Sequence, residues 1–126
     1  MNSPIIYTSK YLRTTPETVR VAEALSVALG RLNIEHRELV NANDYWCRDY
    51  MPIKISDKGV YAKYNYSPDY LVDYKTKRQY ITKQVDVCQE LDIFAPVDLG
   101  IVFDGGNYVR CDDKVIMTDK IFMENP

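Results

Sequence analysis

Apolar and polar positions along this chain follow two rhythms, one of period two and one near 3.6. Residues 5–8 form a short apolar run suited to a buried strand. Thr14-Thr15-Pro16-Glu17 then reads as a helix start. Thr14 can cap, Glu17 can reach back, and Pro16 falls in the first turn, where a missing N–H costs nothing. Val19, Ala22, Leu25, Leu29 and Leu32 follow at three- and four-residue spacing, which makes one apolar face, and Gly30 and Asn33 mark its end. A second strand is predicted over 34–40, and residues 52–55, the turn Asp57-Lys58-Gly59 and residues 60–66 predict a hairpin. A loop through Ser67-Pro68-Asp69 leads to Ile81, Val85, Cys88 and Leu91, a second and shorter helical face. Residues 93–97 and 99–103 read as strands, and 108–111, the turn Asp112-Asp113 and 115–118 as another hairpin.

The two halves share an order: helix, strand, acidic segment, hairpin. Asp57 and Asp113, each followed by a lysine in its hairpin turn, give a period of roughly 55 residues. The fold class expected is α/β, with mixed sheets and hairpins. The organisation expected is a single domain over 1–126, divided into modules at 1–66 and 67–126.

Composition narrows the function classes. The chain has 126 residues, 46% hydrophobic and 27% charged, which is the balance of a globular domain with a real core. A net charge of -2 offers no broad basic field for nucleic acid or anionic membrane. Lys75, Lys77 and Arg78 are flanked by Asp69 and Asp73 and read as a solvated stretch. The first residues show no charged leader before an apolar run, and no stretch approaches the ~20 apolar residues of a membrane span, so a cytoplasmic location is expected. Three cysteines without a Cys-x-x-Cys pair, and the single His36, do not make an ordinary zinc site. Neither a metal nor an organic cofactor is expected. Cys88 reads as core, His36 as an exposed strand residue, and Tyr61, Tyr64, Tyr66, Tyr70 and Tyr74 as a candidate contact face.

Two segments stand apart. Asn43-Asp44-Tyr45-Trp46-Cys47-Arg48-Asp49-Tyr50-Met51-Pro52 and Phe103-Asp104-Gly105-Gly106-Asn107 each set a carboxylate at the edge of a predicted strand. Taken singly, the first is compatible with a core tryptophan beside a surface ion pair and the second with a plain turn. Taken together and in this order, each ahead of a hairpin, they resemble the amino-terminal part of the guanidino-group-modifying (pentein) superfamily, closest to agmatine deiminase and bacterial peptidylarginine deiminase. Those enzymes carry Trp-x-Arg-Asp-x-x-Pro and, downstream, Glu/Asp-Gly-Gly-Asn. The resemblance runs from about Ile34 onward and is specific at the two motifs.

The resemblance implies a pseudo-fivefold ring, or propeller, of small α/β modules around a polar channel, of which this chain would hold about two. It implies that Asp49 grips the substrate guanidinium, a planar cation whose forked N–H groups suit a carboxylate. Trp46 would line the same pocket with its flat indole. Asp104 would orient the catalytic histidine, and Asn107 would stand at the pocket with its side-chain amide tying the turn. Arg48 is expected to brace the loop through carbonyls or an acid, and Gly105 and Gly106 to let backbone approach closely. The substrate implied is a guanidino small molecule or peptidyl-arginine, cleaved at a C–N bond to a ureido product and ammonia. The family's His-x-Asp and nucleophilic cysteine match nothing up to Pro126, so this chain is expected to be inactive alone, as the front part of such a hydrolase. Exposed module edges would then favour a homo-oligomer. Two departures are plain: Tyr50-Met51 replaces the small pair usual before the proline, and Asp104 shortens the commoner Glu by a methylene. The alternative is a short, non-catalytic binding protein that keeps a degenerate guanidinium pocket.

Overall fold

A computed structural model describes residues 4–126. The chain runs β1 (Ile5–Ser9), α1 (Tyr11–Thr14), α2 (Val19–Arg31), β2 (Glu35–Leu39), α3 (Cys47–Tyr50), β3 (Ile53–Ser56) and β4 (Val60–Asn65). It continues through α4 (Asp69–Val72), a 3-10 turn (Arg78–Tyr80), α5 (Gln84–Glu90), β5 (Val97–Val102), a 3-10 turn (Gly105–Asn107), β6 (Tyr108–Cys111), β7 (Lys114–Met117) and α6 (Lys120–Glu124). The described residues form a mixed α/β fold of three small sheets with no closed barrel. β1 and β2 pair in parallel from Ile5↔Glu35 to Ser9↔Leu39. β3 and β4 form an antiparallel hairpin, and β5 adds in parallel to β4. β6 and β7 pair antiparallel by themselves.

Each parallel pair needs a crossover, and a helix supplies it: α2 between β1 and β2, α5 between β4 and β5. Both helices stop in the same way. Asn33 and Asp92 take left-handed backbone (φ 54 and 51). The amide of Ile34 reaches back to Leu29 O at 3.0 Å, and that of Ile93 to Cys88 O at 2.8 Å. This closure uses the last carbonyls of each helix and turns the chain into the next strand. The order helix, strand, acidic segment, hairpin occurs twice, as expected from the sequence. β4 and β5, from either side of the expected division at 66/67, share one sheet.

The start of α2 differs from its sequence expectation. The helix begins at Val19, and Thr14 ends the separate short helix α1, with its hydroxyl turned back to Lys10 O. Pro16 lies in the intervening turn, because Thr15 O already accepts the amides of Thr18 and Val19. Ala22 and Leu29 of the expected face are buried, whereas Leu32, just past the last helical residue, is 68% exposed.

α5 also turns a different face inward. Gln84, Val87 and Cys88 are buried, while Val85 is exposed and Ile81 precedes the helix. A polar side chain displaces an apolar one here because it satisfies two backbone groups. Gln84 Oε1 accepts the Tyr64 amide at 2.7 Å, and Nε2 donates to Tyr50 O at 3.0 Å. The two strands expected over 93–103 are one, β5, since the turn that ends α5 occupies Asp92 and Ile93.

The tyrosine contact face is not formed. Successive side chains of a strand point to opposite faces, so Ala62, Tyr64 and Tyr66 enter the core together while only Tyr70 and Tyr74 of the five are exposed. The core gathers Leu39, Ala42, Tyr50, Tyr64, Tyr66, Leu71, Val87 and Phe103. Its rings meet edge to face, with Tyr64 and Phe103 centroids 5.2 Å apart and Tyr50 and Tyr66 5.7 Å apart. Cys88 is core as expected, and His36, on β2, is half-buried and hydrogen-bonded to Thr8 Oγ1 across the sheet at 2.8 Å.

Candidate functional site

The site is built where α3 meets the 3-10 turn at Gly105–Asn107. Several bonds fix the loop that leads into α3. Asn43 takes Thr82 Oγ1 through its amide (2.9 Å) and gives Nδ2 to Ile81 O (2.9 Å). The Tyr50 hydroxyl closes the loop by donating to Asp44 O at 2.7 Å. A single turn follows, in which the Asp49 amide bonds Trp46 O at 3.0 Å, and Met51 returns to extended backbone ahead of Pro52.

Glycine at 105 and 106 allows the two segments to touch. A side chain at Gly105 would overlap the carbonyl of Arg48 and press on the Tyr64 hydroxyl. A Cβ at Gly106 would stand 2.5 Å from Asp49 Oδ1 and 3.1 Å from Asp104 Oδ1. Neither glycine has positive φ, so close approach is the reason for both.

Asp49 and Asp104 therefore converge on one point. Asp104 is buried, and its Oδ1 accepts the Gly106 amide at 2.8 Å, which fixes its direction. Burial pushes the Asp49 carboxyl up to about 7; the charge of Asp104, a hydrogen bond between the two carboxyls and the charge of Asp44 add to this, and Arg48 opposes it. A carboxyl in a partly dry site beside another carboxyl ionises less readily than one in water, which is the position of Asp49. Beneath them the buried Tyr64 hydroxyl donates to Asp49 O (2.7 Å) and Met51 O (3.0 Å).

The remaining residues singled out from sequence have distinct places. Arg48 leaves the carboxylates and donates Nη2 to Tyr108 O at 2.6 Å, with its guanidinium 5.4 Å from the Tyr108 ring centre, so it links α3 to the start of β6. Asn107 ties its turn through backbone, its amide to Asp104 O (2.9 Å) and its carbonyl from the Thr118 amide (3.3 Å), rather than through the expected side-chain amide. Trp46 is 57% exposed and faces a neighbouring cleft of about 470 Å³, shared with Asp44, Tyr45 and Tyr70. The Tyr70 hydroxyl lies 3.5 Å from that of Tyr66; burial, with the charges of Asp104, Asp49 and Asp44, raises its pKa, and the Tyr66 hydrogen bond opposes this. Burial also raises the Asp44 carboxyl.

Sequence reasoning missed Gln84, gave Asp44 no role within its motif, and took Tyr64 and Tyr70 for a contact face rather than for neighbours of the site. The inward alternation of Ala62, Tyr64 and Tyr66 was the available signal for Tyr64; Gln84 left none, since its partners are backbone groups of distant segments. No thiol adjoins the carboxylate pair among the described residues. Cys47 packs under the Tyr50 hydroxyl and burial raises its thiol, Cys88 is buried beside β4, and Cys111 ends β6. No three metal-ligating side chains gather among the described residues, and no helix there is long and apolar enough to cross a membrane.

Chemically, the arrangement is a pair of neighbouring carboxyl groups, the partner type that a planar, forked cation requires. In comparisons with family models, curated proteins and solved structures, nothing matches this chain.

Proposed function

We propose that this chain is the amino-terminal part of an agmatine- or peptidylarginine-deiminase-like hydrolase, built on pentein-type α/β modules, and that Asp49 and Asp104 form its guanidinium-binding pair. The observation that carries this reading is the convergence of the two carboxylates across Gly106, with Asp49 raised to about 7 by burial and by its neighbour Asp104. The twofold order of helix, strand, acidic segment and hairpin, with matching left-handed helix ends, supports it.

In that chemistry a thiolate adds to the guanidinium carbon, the C–N bond breaks and ammonia leaves with a proton. Water then replaces sulfur at the same carbon to give the ureido product and the free thiol. The contribution of this chain is to hold and orient the cation. Thiol and imidazole would come from sequence outside it, so the chain alone binds without turnover. The β6–β7 hairpin leaves Val109, Val115, Ile116 and Met117 exposed, and this is the surface on which self-association would occur.

Calorimetry tests the reading. N-acetyl-arginine amide and agmatine should bind, the neutral citrulline analogue should bind at least about tenfold more weakly, and Asp49→Asn and Asp104→Asn should each lose the guanidine ligands. Equal affinity for arginine and citrulline, or no binding of either, would sink it.

A further inference from the structure

Beside the carboxylate pair lies the cleft of about 470 Å³, and its walls are unusual for a solvent-facing hollow. Tyr11, Tyr45, Trp46, Tyr70 and Tyr80 line it and are each between 36% and 57% exposed. Tyr45 and Trp46 hold a tilted pair at 5.0 Å and 52°. Asp44 is the carboxylate of this lining and Lys77 its one lysine, whose ammonium lies 4.5 Å over the ring of Tyr74. A hollow of this size is far larger than a guanidinium and falls within the range of pockets that enclose a whole ring system.

We propose that this cleft is a subsite for an aromatic side chain, and that the ligand is a peptide in which an aromatic residue adjoins the arginine. The inference rests on reading Asp49 and Asp104 as the guanidinium pair. Trp46, which lines the cleft, and Asp49 stand one turn apart, joined by the amide-to-carbonyl bond at 3.0 Å, and Asp44 of the same lining is near enough for its charge to act on Asp49. Consecutive Cα atoms of a peptide are about 3.8 Å apart, so an arginine held at Asp49 keeps its neighbour's ring within reach of the cleft. Exposed ring faces at several angles favour a planar partner by offset and edge contacts. The three carboxyl groups at Asp44, Asp49 and Asp104 outnumber the one lysine of the cleft and favour a cationic peptide over an acidic one.

Trp46 is the sole tryptophan, so its emission reports occupancy of the cleft directly. The probes are N-acetyl-Phe-Arg-amide, N-acetyl-Gly-Arg-amide and N-acetyl-phenylalanine amide. On the full chain the Phe-Arg peptide should bind about three- to tenfold tighter than Gly-Arg and shift Trp46 emission, and Gly-Arg should bind with little shift. Tyr80→Ala and Tyr11→Ala, which both keep the reporter, should each erase the advantage and leave Gly-Arg affinity unchanged. Equal binding of the two peptides with unshifted emission would overturn the subsite while the guanidinium site stood. Binding of N-acetyl-phenylalanine amide with a Trp46 shift, but of no arginine peptide beyond it, would keep the aromatic subsite and refute the guanidinium reading instead.

Discussion

The side chains of Asp49 and Asp104 meet at Gly106, where an added Cβ would lie 2.5 Å from one carboxylate oxygen and 3.1 Å from the other. Among the described residues, neither acid has a salt-bridge partner. Asp104 is aimed by the Gly106 amide, and Asp49 by the turn that starts at Trp46, whose carbonyl takes its amide. Backbone hydrogen bonds thus hold together two carboxyl groups that would repel each other as carboxylates.

The glycine pair separates folding from binding. Gly105→Ala would drive a methyl into the Arg48 carbonyl, which is backbone and cannot step aside, so a loss of about 2–3 kcal/mol in urea unfolding is expected. Gly106→Ala meets side-chain oxygen, which can move. It should keep the fold within about 1 kcal/mol while displacing Asp49 and weakening guanidine ligands at least about tenfold. An unfolded Gly106→Ala, or a stable Gly105→Ala, would contradict the packing described.

Asp49 makes stability depend on pH in a defined window. Folded, its carboxyl titrates at about 7. Unfolded, an aspartate titrates near ~3.9. Between these values the folded state holds more protons than the unfolded one, so stability falls as pH rises through the window. Asp49→Asn removes that penalty. Relative to its effect at pH 4, the variant should gain about 1 kcal/mol at pH 8, a modest figure because water screens a half-buried carboxylate. Unfolding curves at pH 4, 6 and 8 give the answer, and a variant that gains nothing over that range would show that Asp49 is not strained.

Gln84 is the third test. Gln84→Met keeps the volume but leaves the Tyr64 amide and the Tyr50 carbonyl unpaired inside the protein, and should cost about 2–3 kcal/mol. The neighbouring Val85→Ala, at a position 50% exposed, should cost less than about 0.5 kcal/mol. A reversed order in thermal unfolding would restore the face expected from the apolar pattern.

The sequence alone determined what near neighbours decide. Both hairpin turns were legible because Gly59 (φ 75) and Asp112 (φ 52) are residue types that accept left-handed backbone, and the flanking residues favour strands. The main apolar face of α2 and the twofold order of elements were legible on the same local grounds. The start of α2 was misplaced because Thr14 is used by a preceding turn of helix that its pattern did not announce. The inward face of α5, the burial of Tyr64 and Tyr66, and the parallel pairing of β4 with β5 were settled by partners far along the chain. The site divides in the same way. Each acidic motif could be read as a carboxylate beside small or aromatic residues, yet the meeting of Asp49 with Asp104 is a property of neither segment. It exists because Gly105 lets the second segment lie against the Arg48 carbonyl, a contact between two backbones that composition and periodicity do not encode and only tertiary packing creates.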